Sequence, residues 1–357
     1  MRMSFSMHWM RLCLVIPVIS GTEALANDLD SWQWNVFSHV DSVISDNDLN
    51  TERDDVELGE SSLFVTGNLS SQLSLLFEGT FQPDRYRTDT TRLERLRIRY
   101  DIDSQHYLIL GKIHTPINYW NDSYHHGRLF FPTISRPLAL DRFAPIHEIA
   151  VRVGAKNLTD YGLFYDFVIG SGQNATAEDD IFGNGVKSYT FNVGFMPASN
   201  WSLQAAYYRD NYEEEGFFHH HGSSHDDMGM MGEPELENIG YELAAFSSNY
   251  EGDRWHSLTE LSANRNDESD DNNYSIYQYL GYRLSPDLTG YAYLDRTEVA
   301  KGDVFFVDGV EQRWGVGLNW FFATTASIKA ELVQHEVDQA NRNESGPELR
   351  LQMAVSF

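Results

Sequence analysis

The stretch PELRLQMAVSF, residues 347–357, decides the fold. Leu349, Leu351, Met353, Val355 and Phe357 fall on one side of an extended chain, and Arg350, Gln352, Ala354 and Ser356 on the other. Side chains alternate faces along a strand, so this segment has one greasy face and one polar or small face. The same period recurs upstream. Tyr189, Phe191, Val193 and Phe195 interleave with Thr190, Asn192 and Gly194; Trp314, Val316, Leu318 and Trp320 interleave with Arg313, Gly315, Gly317 and Asn319.

Sixteen such segments are expected, near 32–42, 57–66, 70–81, 91–101, 105–114, 147–155, 160–170, 187–196, 200–210, 238–249, 253–264, 273–284, 287–297, 311–321, 324–335 and 347–357. Short turns (NLSS, DIDS, KNLTD, PASN, YEGD, SPD, FATT) alternate with longer polar links, the longest at 115–146 and 211–237. No segment after Ala26 approaches the apolar length of a membrane helix. Lipid tolerates only helices or closed barrels, because an open sheet edge leaves peptide groups unpaired. Two-sided strands, an even strand count and strict alternation of short and long links therefore predict an all-β protein: a transmembrane antiparallel β-barrel of about sixteen strands. Trp201, Trp255, Tyr282, Trp314, Trp320 and Phe321 lie near strand ends, where interfacial aromatic girdles belong.

The N-terminal MRMSFSMHWMRLCLVIPVISGTEALA combines Arg2 and Arg11, an apolar run at 12–19 and the small-x-small triplet Ala24-Leu25-Ala26. It is expected to be a secretory signal peptide spanning 1–26, leaving 27–357 as the barrel. The single cysteine, Cys13, lies within it, so neither a disulfide framework nor a cysteine nucleophile is expected after cleavage. The formal charge of −27, from 26 Lys+Arg against 53 Asp+Glu, repels nucleic acid and attracts cations.

With its signal peptide, sixteen segments, alternating turns and terminal Phe357, the chain resembles the bacterial outer-membrane porins. The resemblance covers nearly the whole chain after Ala26, as pattern rather than motif. It implies residence in the outer membrane among lipid and lipopolysaccharide, passive diffusion of small hydrophilic solutes or ions, and a homotrimer. It further implies that Phe357 is read by the barrel-assembly machinery, and that the third outside loop, 115–146, folds into the lumen as the pore-constricting segment.

In TRLERLRIRYDI, residues 91–102, Leu96, Ile98 and Tyr100 share one face and Arg95, Arg97 and Arg99 the other. An arginine facing lipid at midplane costs about 2–4 kcal/mol, so the three are expected to face the lumen. Two roles are open for them: steering anionic groups, or pairing with inward carboxylates such as Glu78, Asp166, Glu242 and Glu260. With Tyr107 and Ile109 facing out, Lys112 and His114 point inward. The eyelet candidates are Arg95, Arg97, Arg99, Lys112, Asp122, Arg128 and Asp141. Pro116, Pro132, Pro137 and Pro145 predict a rigid third loop.

FFHHHGSSHDDMGMMGEPE, residues 217–235, gathers His219, His220, His221, His225, Asp226 and Asp227. These suit zinc or nickel, and Met228, Met230 and Met231 suit copper(I). The spacing matches no closed metal site. The choice is between a loose loop that collects divalent cations and a solvated acidic loop; no tightly held cofactor is expected. An enzyme is not expected either. There is no GxSxG and no phosphate loop, and the serine–histidine pairs on neighbouring segments, His256 with Ser275 and His147 with Ser188, carry no activating signature. The alternative to a channel is a non-conducting barrel acting as adhesin, receptor or metal-collecting surface protein. Sixteen strands enclose an aqueous lumen, whereas eight are filled by side chains.

Overall fold

A computed structural model describes residues 32–45, 56–82, 91–124, 127–172, 188–212, 239–269, 271–340 and 342–357. The signal-peptide region and the histidine loop, with His219, His220, His221, His225, Asp226 and Asp227, lie outside the described residues.

The described chain forms sixteen strands: β1 (Trp32–Ser45), β2 (Val56–Asn68), β3 (Leu73–Phe81), β4 (Thr91–Asp101), β5 (His106–His114), β6 (His147–Ala155), β7 (Phe164–Gly170), β8 (Ser188–Ala198), β9 (Trp201–Tyr212), β10 (Ile239–Glu251), β11 (Trp255–Asn266), β12 (Asn273–Ser285), β13 (Leu288–Val299), β14 (Gly309–Ala323), β15 (Ala326–Gln339) and β16 (Arg342–Ser356). Each pairs antiparallel with its sequence neighbours, and β1 pairs with β16 to close the barrel. The seam is completed by reciprocal backbone bonds between Val36 and Phe357, at 2.8 and 3.0 Å. No edge is left to be satisfied by lipid.

Alternation sorts the side chains as the sequence predicts. On β4, Leu96, Ile98 and Tyr100 are exposed outward while Arg95, Arg97 and Arg99 turn to the lumen. Trp201, Trp255, Trp314 and Trp320 are exposed on the outer surface, and Trp255 packs on Tyr282 with ring centroids 4.7 Å apart. Strand β16 begins at Arg342, five residues before the expected start. The polar run Arg342-Asn343-Glu344 carries no alternation, because contrast between faces is required only where one face meets lipid.

The strand β5 reverses the expected phase. Tyr107, Ile109 and Ile113 are buried inside with Ala150 and Val168, and Leu110 is exposed outside. Lys112 stands opposite Leu96 and Ile149 in the register, on the outer face. HYLILGKIH is apolar on both faces, so its pattern could not set the phase.

The main apolar core lies inside the barrel. The described residues of 115–146 fold into the lumen, where Ile117, Ala139 and Phe143 pack with Tyr208, Tyr241 and Leu243. Trp120, Phe131 and Leu140 pack with Leu258, Tyr277, Tyr279, Tyr291 and Tyr293.

Candidate functional site: the lumen between loop and arginine wall

The folded loop contains two short helices, α1 (Tyr119–Ser123) and α2 (Leu138–Arg142). Asn118 caps α1 by accepting the Asn121 N–H at 3.0 Å. Asn121 is fully buried, and its amide donates to the carbonyls of Thr115 (2.9 Å) and Ile146 (3.2 Å), tying the two feet of the loop together. Pro137 precedes α2 with an extended backbone, consistent with its use as a stiff entry to the turn.

An irregular loop in a barrel lumen must satisfy its own peptide groups. Here the far wall supplies the partners. Glu260 of β11 accepts the Trp120 N–H at 2.7 Å, Asp295 of β13 accepts the Leu138 N–H at 2.9 Å, and Glu331 of β15 accepts the Ile134 N–H at 2.7 Å. Arg313 of β14 donates to the Arg136 carbonyl at 2.9 Å and to Asp295 at 2.8 Å. Lys329 of β15 donates to the Arg128 carbonyl at 2.5 Å, and Tyr241 of β10 to the Phe143 carbonyl at 2.7 Å. Arg142 pairs with Glu311, and Arg350 of β16 with Ser135. The loop is thus fastened across strands β10 to β16.

Space remains on the opposite wall. A cavity of about 270 Å³ is lined by Gln33, Thr66, Asn68, Ser74, Arg97 and Arg99. A second, of about 210 Å³, is lined by Asn35, Phe37, Phe64, Arg95, Asp122 and Ser123, among others. Strands β2 to β4 and the start of β1 therefore face loop residues across open, mostly polar space, while Phe37 further along β1 packs on Phe130 of the loop with ring centroids 5.8 Å apart.

The sequence candidates fall into three groups. Arg95, Arg97, Arg99 and Asp122 border these cavities. Arg95 pairs with Glu78, and Arg99 binds Asp101 at 2.8 Å while lying 4.0 Å over the Tyr107 ring. Asp122 reaches Arg152 at 3.3 Å. Arg128 is a structural part of the loop: it donates to the Ile134 carbonyl at 3.0 Å and lies over the Phe131 ring at 5.0 Å, and burial pushes its guanidinium pKa down. Asp141 is exposed on α2 within the lumen. Lys112 does not join them, for the reason given by the β5 register.

Of the four carboxylates considered as partners for the ladder, only Glu78 has that role. Asp166 binds Arg152 (2.7 and 2.8 Å) and the Tyr107 hydroxyl (2.6 Å), while Glu260 holds the loop. Glu242 lies on the outer face between Arg209 and Arg265, at 3.0 and 2.9 Å. A three-charge cluster satisfies itself there, so alternation does not force Glu242 inward. The serine–histidine pairs do not meet: Ser275 bonds Ser262 and His256 bonds Asn249 at 3.0 Å, while Ser188 bonds Glu148 and His147 lies 3.3 Å from Glu94.

The loop anchors Asp295, Arg313, Lys329, Glu331 and Arg350 were not singled out from sequence. Their signal was present, as inward-phase charges in LDRTE, EQRWG and IKAEL, but nothing local says that a loop will meet them.

No family model matches the chain, and no curated protein is similar to it in sequence. Solved structures are similar in fold. OprB of Pseudomonas putida, in its high-pH structure, superposes with TM-score 0.64 at 10% identity over 92% of this chain and 94% of that one. The anion-selective porin from Comamonas acidovorans gives 0.62 at 10% identity over 92% and 99%. The trimer form of in-vitro folded OmpT, an outer membrane protein of Vibrio cholerae, gives 0.60 at 11% identity over 92% and 100%. The fold is that of the sixteen-stranded outer-membrane porins: a closed barrel with a lipid-facing apolar belt.

Proposed function

We propose that the chain is a passive channel of the outer membrane, through which small hydrophilic solutes diffuse. The observation that carries this reading is the asymmetry of the lumen. The loop is bound to one wall by peptide hydrogen bonds to buried side chains and by the Arg142–Glu311 pair, and polar cavities line the other. Selection then follows from the width left beside the loop and from the charges bordering it. A homotrimer is part of the proposal, supported by the similarity in fold to the OmpT trimer form. The test is single-channel conductance of the refolded barrel in a planar bilayer, with the reversal potential read in a salt gradient. Stepwise openings are expected. A correctly folded barrel that stays electrically silent overturns the channel and leaves a binding or adhesive surface protein.

A further inference from the structure

We infer that Arg97 is the binding point on the channel wall for the carboxylate of a small hydroxylated organic anion, a sugar acid in chemical class. The inference rests on the channel reading and names what the arginine wall selects.

The three arginines of β4 repeat every second residue, roughly 6.8 Å apart along the strand, and their neighbours differ. Arg95 stands opposite Glu78 in the register and pairs with it. Arg99 is held by Asp101, two residues further on, and by the face of Tyr107. Arg97 stands opposite Leu76 on one side and Gly111 on the other, neither of which has a side-chain oxygen. It makes no hydrogen bond or ion pair with any described residue. The ladder therefore holds two guanidiniums in close ion pairs and, between them, one that feels a carboxylate, that of Asp122, only through space.

That guanidinium opens into the 270 Å³ cavity. A guanidinium fork matches a carboxylate with two parallel hydrogen bonds, which are stronger than neutral ones. One guanidinium without an ion pair matches one carboxylate. A dianion would leave a second charge unmatched, since Arg95 and Arg99 already face Glu78 and Asp101. Gln33, Thr66, Asn68 and Ser74 line the cavity beside Gly67, Leu75 and Leu76, and offer neutral donors and acceptors. Amides and hydroxyls of this kind suit the hydroxyls of the solute. Gly111 leaves the β5 side of Arg97 without a side chain.

The test uses the full folded barrel in detergent, with gluconate and glucose as probes read by saturation-transfer NMR and inorganic phosphate as a competitor of the gluconate signal. The wild-type protein is expected to bind gluconate and not glucose. R97Q should bind it at least tenfold more weakly, and R97K to an intermediate degree, because lysine keeps the charge but loses the fork. Equal gluconate binding by R97Q overturns the assignment, as does glucose binding as well as gluconate, or phosphate binding more tightly. Conductance in KCl separates the two claims. A barrel that conducts but binds no gluconate overturns the Arg97 site alone. A folded barrel that binds gluconate through Arg97 and never conducts overturns the channel and leaves the site.

Discussion

Removal of the Asp295 carboxylate should release part of the folded loop without unfolding the barrel. Asp295 is 1% exposed and accepts both the Leu138 N–H and Arg313, which is 7% exposed and also grips the Arg136 carbonyl. In D295A the buried Arg313 charge loses its carboxylate and the Leu138 N–H loses its acceptor. Deleting one member of a buried pair costs about 3–5 kcal/mol. The two losses share one oxygen, so that range serves for both. At 1.4 kcal/mol per factor of ten, the population with this half of the loop detached rises by roughly 10²-fold to a few thousandfold. The barrel's own ladder pairs are untouched, and Glu260 and Glu331 still hold the other half. The assay is trypsin added outside proteoliposomes, with cleavage read after Arg142. Wild type should resist and D295A should be cut, while the heat-dependent gel shift of the folded barrel persists in both. The double variant D295L/R313M, which removes both charges, should recover part of the protection. If D295A resists trypsin as wild type does and conducts with unchanged current and noise, the anchoring argument is wrong.

Two further outcomes follow from local geometry. Gly111 has φ +124°, and a Cβ there would lie 2.0 Å from the Leu96 carbonyl oxygen, a fixed backbone atom. G111A should lower the folded fraction on a heat-modifiability gel, the backbone conformation alone costing at least ~1–2 kcal/mol, whereas full folding of G111A would refute the strain. Asp103, in the β4–β5 turn, accepts the His106 and Gln105 backbone N–H groups at 2.8 Å, which hold its pKa down at about 2. A depressed carboxylate stabilises the fold above its ordinary pKa and loses that contribution as pH falls through the depressed value. Acid unfolding should therefore carry a component between roughly pH 4 and pH 2 that is absent in D103N, and identical acid profiles would exclude it.

What was legible in the sequence is what lipid enforces. TRLERLRIRYDI could place its arginines on only one face, and the structure puts them there. The segments at 91–101 and 147–155 match β4 and β6 residue for residue. Phase was lost where the pattern had no contrast. In HYLILGKIH both faces are apolar, and Lys112 suggested an inward phase that Tyr107, Ile109 and Ile113 overrule, although His114, also expected inward, does line the second cavity. Glu242 was misplaced for a related reason: a carboxylate flanked by Arg209 and Arg265 can face outward.

Local pattern alone was enough for a closed sixteen-strand barrel, its short turns and, outside β5 and Glu242, its lipid-facing side. Period-two alternation is local, and the bilayer penalises any other arrangement of strands. Only the tertiary structure decided which wall the long loop grips and which it leaves open. Trp120 meets Glu260 across 140 positions of sequence, and Ile134 meets Glu331 across 197. It also decided which arginine of the ladder lacks an ion pair, since Glu78 reaches Arg95 only through the β3–β4 register. These contacts arise because barrel closure brings distant strands around one lumen, where buried charges and peptide groups must find partners wherever the chain has placed them.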